Sequence, residues 1–112
     1  ENHFNLNDKD RKNIQRAEQF LTDSLLGDFP GIEKIARKVG ISPTKLKTDF
    51  KEVHDVTVYQ YFSKQQMMAA RELLLQRKYT VKDISGMFGY ENPGKFSAVF
   101  KKVFGESPSE VV

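Results

Sequence analysis

Thr44, Lys45, Lys47, Thr48 and Lys51 stand close together in the chain and could act as one chemical surface. A lysine ammonium donates to guanine O6 and N7 or to phosphate, and a threonine offers a hydroxyl to a base edge or a methyl to thymine. A second stretch carries Asn92, Gly94, Lys95, Ser97, Ala98, Lys101 and Lys102. Gly94, Ser97 and Ala98 make a small surface of low charge that can approach a partner closely but supplies few directional hydrogen bonds. The lysines beside it suit phosphates, since residues 92 to 104 hold three lysines and no acid. Base reading is therefore expected from Thr44, Lys47 and Thr48, and more weakly from Gly94, Ser97 and Ala98. Phosphate contact is expected from Lys45, Lys51, Asn92, Lys95, Lys101 and Lys102. Asp49 is the awkward carboxylate of the first stretch, placed either at the edge of an interface or as an acceptor from a cytosine amino group.

Other chemistries find little support. The chain has no cysteine, which removes disulfides, thiolate zinc sites and a cysteine nucleophile. His3 and His54 are far apart in sequence with no carboxylate constellation around them, so no metal is expected and His54 reads as a helix-end residue. No glycine-rich phosphate loop or serine-centred nucleophile motif occurs, so neither an enzyme nor a cofactor is expected. The nine phenylalanines and four tyrosines fall mostly at core spacing and read as packing rather than as a platform for stacking bases. Arg71 could bond to a neighbouring helix or lie near phosphate, and the structural role is the preferred reading.

The elements that must position these residues are helical. Asn7-Asp8-Lys9-Asp10 is a capping signal, after which Ile14, Ala17, Leu21 and Leu25 recur at helical spacing, giving a helix over about 8–26. Ile32, Ile35, Ala36 and Val39 give a shorter helix over about 31–39 that Gly40 closes. Ser42-Pro43 opens the third, to about His54, with Leu46, Phe50 and Val53 inward. Thr57 and Gln60 box the start of a long helix over about 58–77. Thr80 and Asp83 box a short one. Asn92-Pro93 opens the sixth, over about 93–104 with Phe96, Val99, Phe100 and Val103 inward, and Ser107-Pro108 starts a truncated last helix. No segment alternates as a half-buried strand does, so the expected fold is all-α with about seven helices.

The chain repeats itself. A shift of 49 places Ile32, Ile35 and Gly40 on Val81, Ile84 and Gly89; a shift of 50 then places Leu46, Phe50, Lys51 and Val53 on Phe96, Phe100, Lys101 and Val103. Each copy is a short helix, a glycine turn and a capped second helix, the helix-turn-helix pattern. The intervening helix, about 20 residues at ~1.5 Å each, is a rod of ~30 Å, close to the ~34 Å between successive major-groove faces on one side of a duplex. The second helices, about 43–54 and 93–104, could thus enter adjacent major grooves of one continuous site.

Ile35-Ala36-x-x-Val39-Gly40-x-Ser42-x-x-x-Leu46-x-x-x-Phe50-Lys51, with Tyr61 and Ala70-Arg71-x-Leu73-Leu74, resembles the first half of an AraC/XylS-type regulator's DNA-binding domain. Ile84-x-x-x-Phe88-Gly89-Tyr90-x-Asn92-x-x-x-Phe96-Ser97-x-x-Phe100-Lys101-Lys102-x-x-Gly105-x-x-Pro108-Ser109 is similar to that family's signature stretch. The resemblance covers about residues 8 to 112. It implies two helix-turn-helix units joined by a long helix, promoter DNA as partner, and control of transcription, commonly activation through RNA polymerase. The sequence departs from the family's usual alanine at Ser85, glycine at Asp55 and frequent arginine at Gln66 and Ala98. Since that last arginine often reaches DNA in relatives, Ala98 implies weaker base reading by the second unit.

The 112 residues, with 18 Lys+Arg against 15 Asp+Glu and 38% hydrophobic residues, fit one compact domain with its own core. We read it as a helix plus first helix-turn-helix unit over 8–54, a linker helix over 57–78 and a second unit with the truncated helix over 80–112. The charge is uneven: residues 1 to 30 are net negative by two units and the remainder net positive by five. A polyanionic partner fits this imbalance without being required by it. No apolar run approaches a membrane span and no signal peptide opens the chain, so a cytoplasmic protein without membrane contact is expected. The start at Glu1 rather than Met, and the stop at Val112 one turn into a helix, lead us to expect a monomeric domain excised from a longer regulator, with any sensing or dimerisation region outside it. Two other readings stay open, a helical protein-interaction module and a nonspecific DNA-binding protein.

Overall fold

The computed structural model describes residues 6–111, so His3, Phe4 and the chain ends Glu1 and Val112 lie outside the described residues. Within them the chain forms α1 (Asp8–Asp23), α2 (Ile32–Val39), α3 (Pro43–His54), α4 (Val58–Leu75), α5 (Val81–Met87), α6 (Pro93–Phe104) and α7 (Pro108–Val111), with no strand among the described residues. The all-α expectation matches. No described helix is long and apolar enough to cross a membrane.

The starts are where the sequence places caps, because each cap oxygen takes an amide that the first turn leaves without a partner. Asn7 accepts from Asp10 N at 2.8 Å and Ser42 from Lys45 N at 3.1 Å with Pro43 in the first turn. Thr57 and Gln60 form a reciprocal box, as do Thr80 and Asp83. Asn92 accepts from Gly94 N at 2.7 Å.

Two ends differ from expectation. Helix α1 stops at Asp23, not near 26. The Ser24 hydroxyl donates to Phe20 O and its amide closes on Leu21 O, so Leu25 leaves the helix instead of continuing its stripe. Helix α4 stops at Leu75, not 77: Gln76 and Arg77 close on Leu73 and Leu74 in tight turns, and Arg77 adopts the left-handed conformation at φ 59°.

The chain divides into two compact units. The first takes the residues up to Ser24 and Phe29–Phe62, the second Leu25–Asp28 and everything from Ser63 onward, so α4 begins in one and continues in the other. In the first, Ile14, Ala17, Leu21, Ile35, Ala36, Val39, Leu46, Phe50, Val58 and Phe62 are buried, and each of the larger side chains contributes about 1.5–3 kcal/mol relative to exposure. Arg16 of α1 fastens α2, donating to Val39 O and Lys38 O at 3.1 Å each. These are C-terminal carbonyls that no α2 amide can reach.

In the second unit Met67, Ala70, Leu74, Ile84, Phe88, Phe96 and Phe100 form the core, with Leu25 and Phe104 packed at its edge. The Gln66 amide is buried there. Its Nε2 donates to Leu25 O at 2.7 Å and Gly27 O at 2.9 Å, with Phe88 O at 3.3 Å, and so ties the 25–28 loop to the turn after α5. Gly89 at φ 83° lies against that loop; a Cβ there would meet Asp28 Oδ1 at 2.5 Å and Gly27 C at 2.9 Å, closer than any side chain tolerates.

Most aromatic rings pack as expected, but Tyr59 and Tyr79 are exposed. Tyr59 only edges onto Phe29. The Arg71 guanidinium lies 5.4 Å from the Phe104 ring centroid, and its buried Nε has no hydrogen-bond partner among the described residues.

Candidate nucleic-acid interface

Helices α3 and α6 are second helices of the two repeats, and the turns before them share one closing bond. Ile41 N reaches back to Ala36 O at 3.1 Å and Tyr90 N to Ser85 O at 3.0 Å, the six-residue closure of a helix that ends on a left-handed glycine. Ala36 and Ser85 are the matching buried residues. Serine fits where alanine is usual because its hydroxyl donates to Tyr90 O at 3.3 Å. From glycine to proline the second turn is one residue longer, Gly89 to Pro93 against Gly40 to Pro43.

Burial of Leu46 and Phe50 fixes the orientation of α3 and leaves Thr44, Lys45, Lys47, Thr48 and Lys51 exposed. At about 100° per residue, Thr44, Thr48 and Lys51 cluster within about 60° of one another, with Lys47 flanking them. Lys45 lies on the other flank. Burial of Phe96 and Phe100 likewise exposes Asn92, Gly94, Lys95, Ala98, Lys101 and Lys102 and half-exposes Ser97. The position-by-position match between the two faces sets Thr44 against Gly94, Lys47 against Ser97, Thr48 against Ala98, and Lys51 against Lys101. At the first three of these positions the first face carries two hydroxyls and an ammonium where the second has only the Ser97 hydroxyl.

Asp49 is not at the edge of this face. It is buried beside Leu46 and Phe50, and its Oδ2 lies 3.1 Å from Lys45 Nζ. Lys45 also meets Asp10 of α1 at 3.3 Å. Hydrogen bonds to Asp49 and then Asp10 hold the Lys45 ammonium above the usual lysine pKa. His54 Nε2, on the last residue of α3, stands 2.6 Å from Glu18 Oε2 of α1, and its ring packs with Phe50 and Tyr61 in a cluster of three mutually touching rings. Burial pushes the Tyr61 phenol up, with Glu18 adding to it. The Asp10–Lys45–Asp49 and Glu18–His54 pairings join residues from different helices. Their only sequence signal is the spacing of Lys45 and Asp49, which lie one helical turn apart.

Among the described residues no group of three or more His, Asp or Glu could hold a metal.

With this geometry in view, comparison with known proteins is informative. The family described as Helix-turn-helix domain matches residues 35–112, which takes in α3 to α7 and the later part of α2. The chain is similar to the probable transcription factor PqrA of Proteus vulgaris, 30% identical over 79 residues, covering 70% of this chain and 65% of that one. It is also similar to the arabinose operon regulatory protein of Escherichia coli, 29% identical over 97 residues, 87% of this chain but 33% of the relative. The chain thus spans less than two thirds of either relative's length. Among solved structures, the C-terminal domain of AraT, a response regulator from Geobacillus stearothermophilus, superposes with TM-score 0.82 at 27% identity, covering 88% of this chain and 82% of that one. The duplicated unit, the six-residue closure shared by its two turns and these likenesses agree: the chain belongs to the AraC/XylS family of helix-turn-helix DNA-binding domains.

Proposed function

We propose that the chain binds double-stranded promoter DNA in a sequence-specific way as the DNA-binding part of a transcription regulator, with α3 and α6 entering neighbouring major grooves of one asymmetric site. The observation that carries this reading is the pair of matched helix faces, each clear of the core and each bearing lysines. Thr44, Lys47 and Thr48 read bases from α3. On α6 Gly94, Ser97 and Ala98 add close approach with little directional readout; Lys51 of α3, the cap residue Asn92, and Lys95, Lys101 and Lys102 of α6 hold phosphates. Asn92 Oδ1 is taken by the Gly94 amide, so its side-chain Nδ2 is the donor left to meet a phosphate. The chain acts as a monomer in the cytoplasm. Relatives named as a transcription factor and an operon regulator support the regulatory role, and in a longer regulator its output would run through RNA polymerase. The role is binding rather than catalysis.

The salt dependence of duplex binding tests this reading. Four phosphates neutralised by these lysines give a slope of log K against log salt of about −3.6. A protein-interaction module would show no salt-sensitive DNA affinity, and a nonspecific DNA binder would be competed equally by unrelated duplexes.

A further inference from the structure

The internal duplication supplies its own control for one residue. A shift of 50 places Lys45 on Lys95, each at the third position of its helix. The two lysines sit in different surroundings. Four residues on, Lys45 has Asp49 and Lys95 has Val99. Lys45 Nζ lies 3.1 Å from Asp49 Oδ2 and 3.3 Å from Asp10 Oδ1, whereas Lys95 is exposed with no carboxylate partner among the described residues. Both of Lys45's carboxylates are well covered, with 9% of the Asp49 side chain and 15% of the Asp10 side chain exposed. A lysine that left them for a phosphate would abandon two shielded negative charges, one of them nearly buried. Lys45 also lies about 100° round the helix from Thr44 and about 160° from Lys47. Its ammonium points toward α1 and away from the middle of the exposed face.

We infer that Lys45 is a positioning residue, a cation shared between Asp10 of α1 and Asp49 of α3 that fixes the rotation of α3 about its axis and so the aim of Thr44, Lys47 and Thr48. The equivalent Lys95 remains a phosphate contact. One ancestral position thus does two jobs in the two units, and the side chain four residues on decides which. This role replaces the phosphate contact expected of Lys45.

This inference rests on DNA binding by the chain, and the test separates the two. Salt slopes are measured on one selected duplex for the wild type, Lys45→Met and Lys95→Met, methionine keeping the unbranched apolar stem while removing the charge. Lys95→Met flattens the slope by about 0.9. Lys45→Met leaves the slope unchanged while lowering the affinity ratio between the selected duplex and single-base variants under α3. Asp10→Asn reproduces that loss of discrimination, and Lys45→Arg, which keeps the cation, restores it. Equal slope changes in Lys45→Met and Lys95→Met, whether both near 0.9 or both near zero, overturn the inference, as does unaltered discrimination in Lys45→Met. Melting curves confirm that the compared variants are folded, and Asp10→Asn gives a second route to the same outcome should Lys45→Met fail to fold. A wild type with no salt-sensitive binding contradicts the DNA reading itself.

Discussion

Thr48 and Lys101 illustrate how two exposed residues on equivalent helices divide labour. A hydroxyl or ammonium on the middle of α3 can discriminate bases, while an ammonium on α6 beside Gly94 and Ala98 has only backbone to hold. Lys47→Ala and Thr48→Ala should each lower discrimination between a selected site and its variants by about tenfold, the scale of one base contact of ~1–3 kcal/mol. Lys101→Ala should weaken all duplexes alike and flatten the salt slope by about one unit. Binding to a panel of single-base variants checks both, and identical behaviour of the two kinds of variant would contradict the division. Buried residues follow a different rule. Gln66 satisfies carbonyls of Leu25, Gly27 and Phe88 at once, so Gln66→Leu leaves them without a donor and should cost about 2 kcal/mol in denaturant unfolding. A loss below about 0.5 kcal/mol would show that water replaces the amide. None of this was visible in sequence, where Gln66 stood only as a departure from the family's arginine. The same holds for Arg16 on the end of α2 and Asp10 beside Lys45, because each partnership joins residues from separate elements.

The helices themselves were legible because their signals are local. Ser42-Pro43, Thr57 with Gln60, Thr80 with Asp83 and Asn92-Pro93 each satisfy amides within three residues, so sequence spacing and structure coincide. Helix ends were less legible. Leu25 kept the apolar spacing of α1 but is drawn off by the second unit's core, and Arg77 ends α4 in a left-handed conformation that its residue type does not announce. The end of α3 poses a related problem: Asp55 takes φ 62° where the family usually has glycine. Aspartate tolerates that conformation better than most residues yet retains a Cβ penalty. Asp55→Gly should therefore raise stability by about 0.5 kcal/mol, equivalent to roughly 2–4 °C in melting temperature. A lower melting temperature would mean that unfolded-state entropy outweighs the relieved backbone.

For the molecule as a whole, the duplication organises everything else. Two copies of one unit explain the shared turn closure, the matched faces of α3 and α6 and the recurrence of Phe50-Lys51 as Phe100-Lys101. The repeat could be found in sequence because core spacing and turn glycines survive duplication, while the exposed positions between them diverge and carry the function. Neither the boundary of the units within α4 nor the attachment of residues 25–28 to the second unit follows from spacing, since both depend on which core captures a short segment. The central claim is sequence-specific recognition by two unequal reading helices. It is tested most directly by selecting random duplex DNA on this chain at about 150 mM salt and sequencing the enriched pool. The account predicts an asymmetric motif of two blocks about 10 base pairs apart, the block under α3 sharper than the block under α6; a pool with no enriched motif would contradict it.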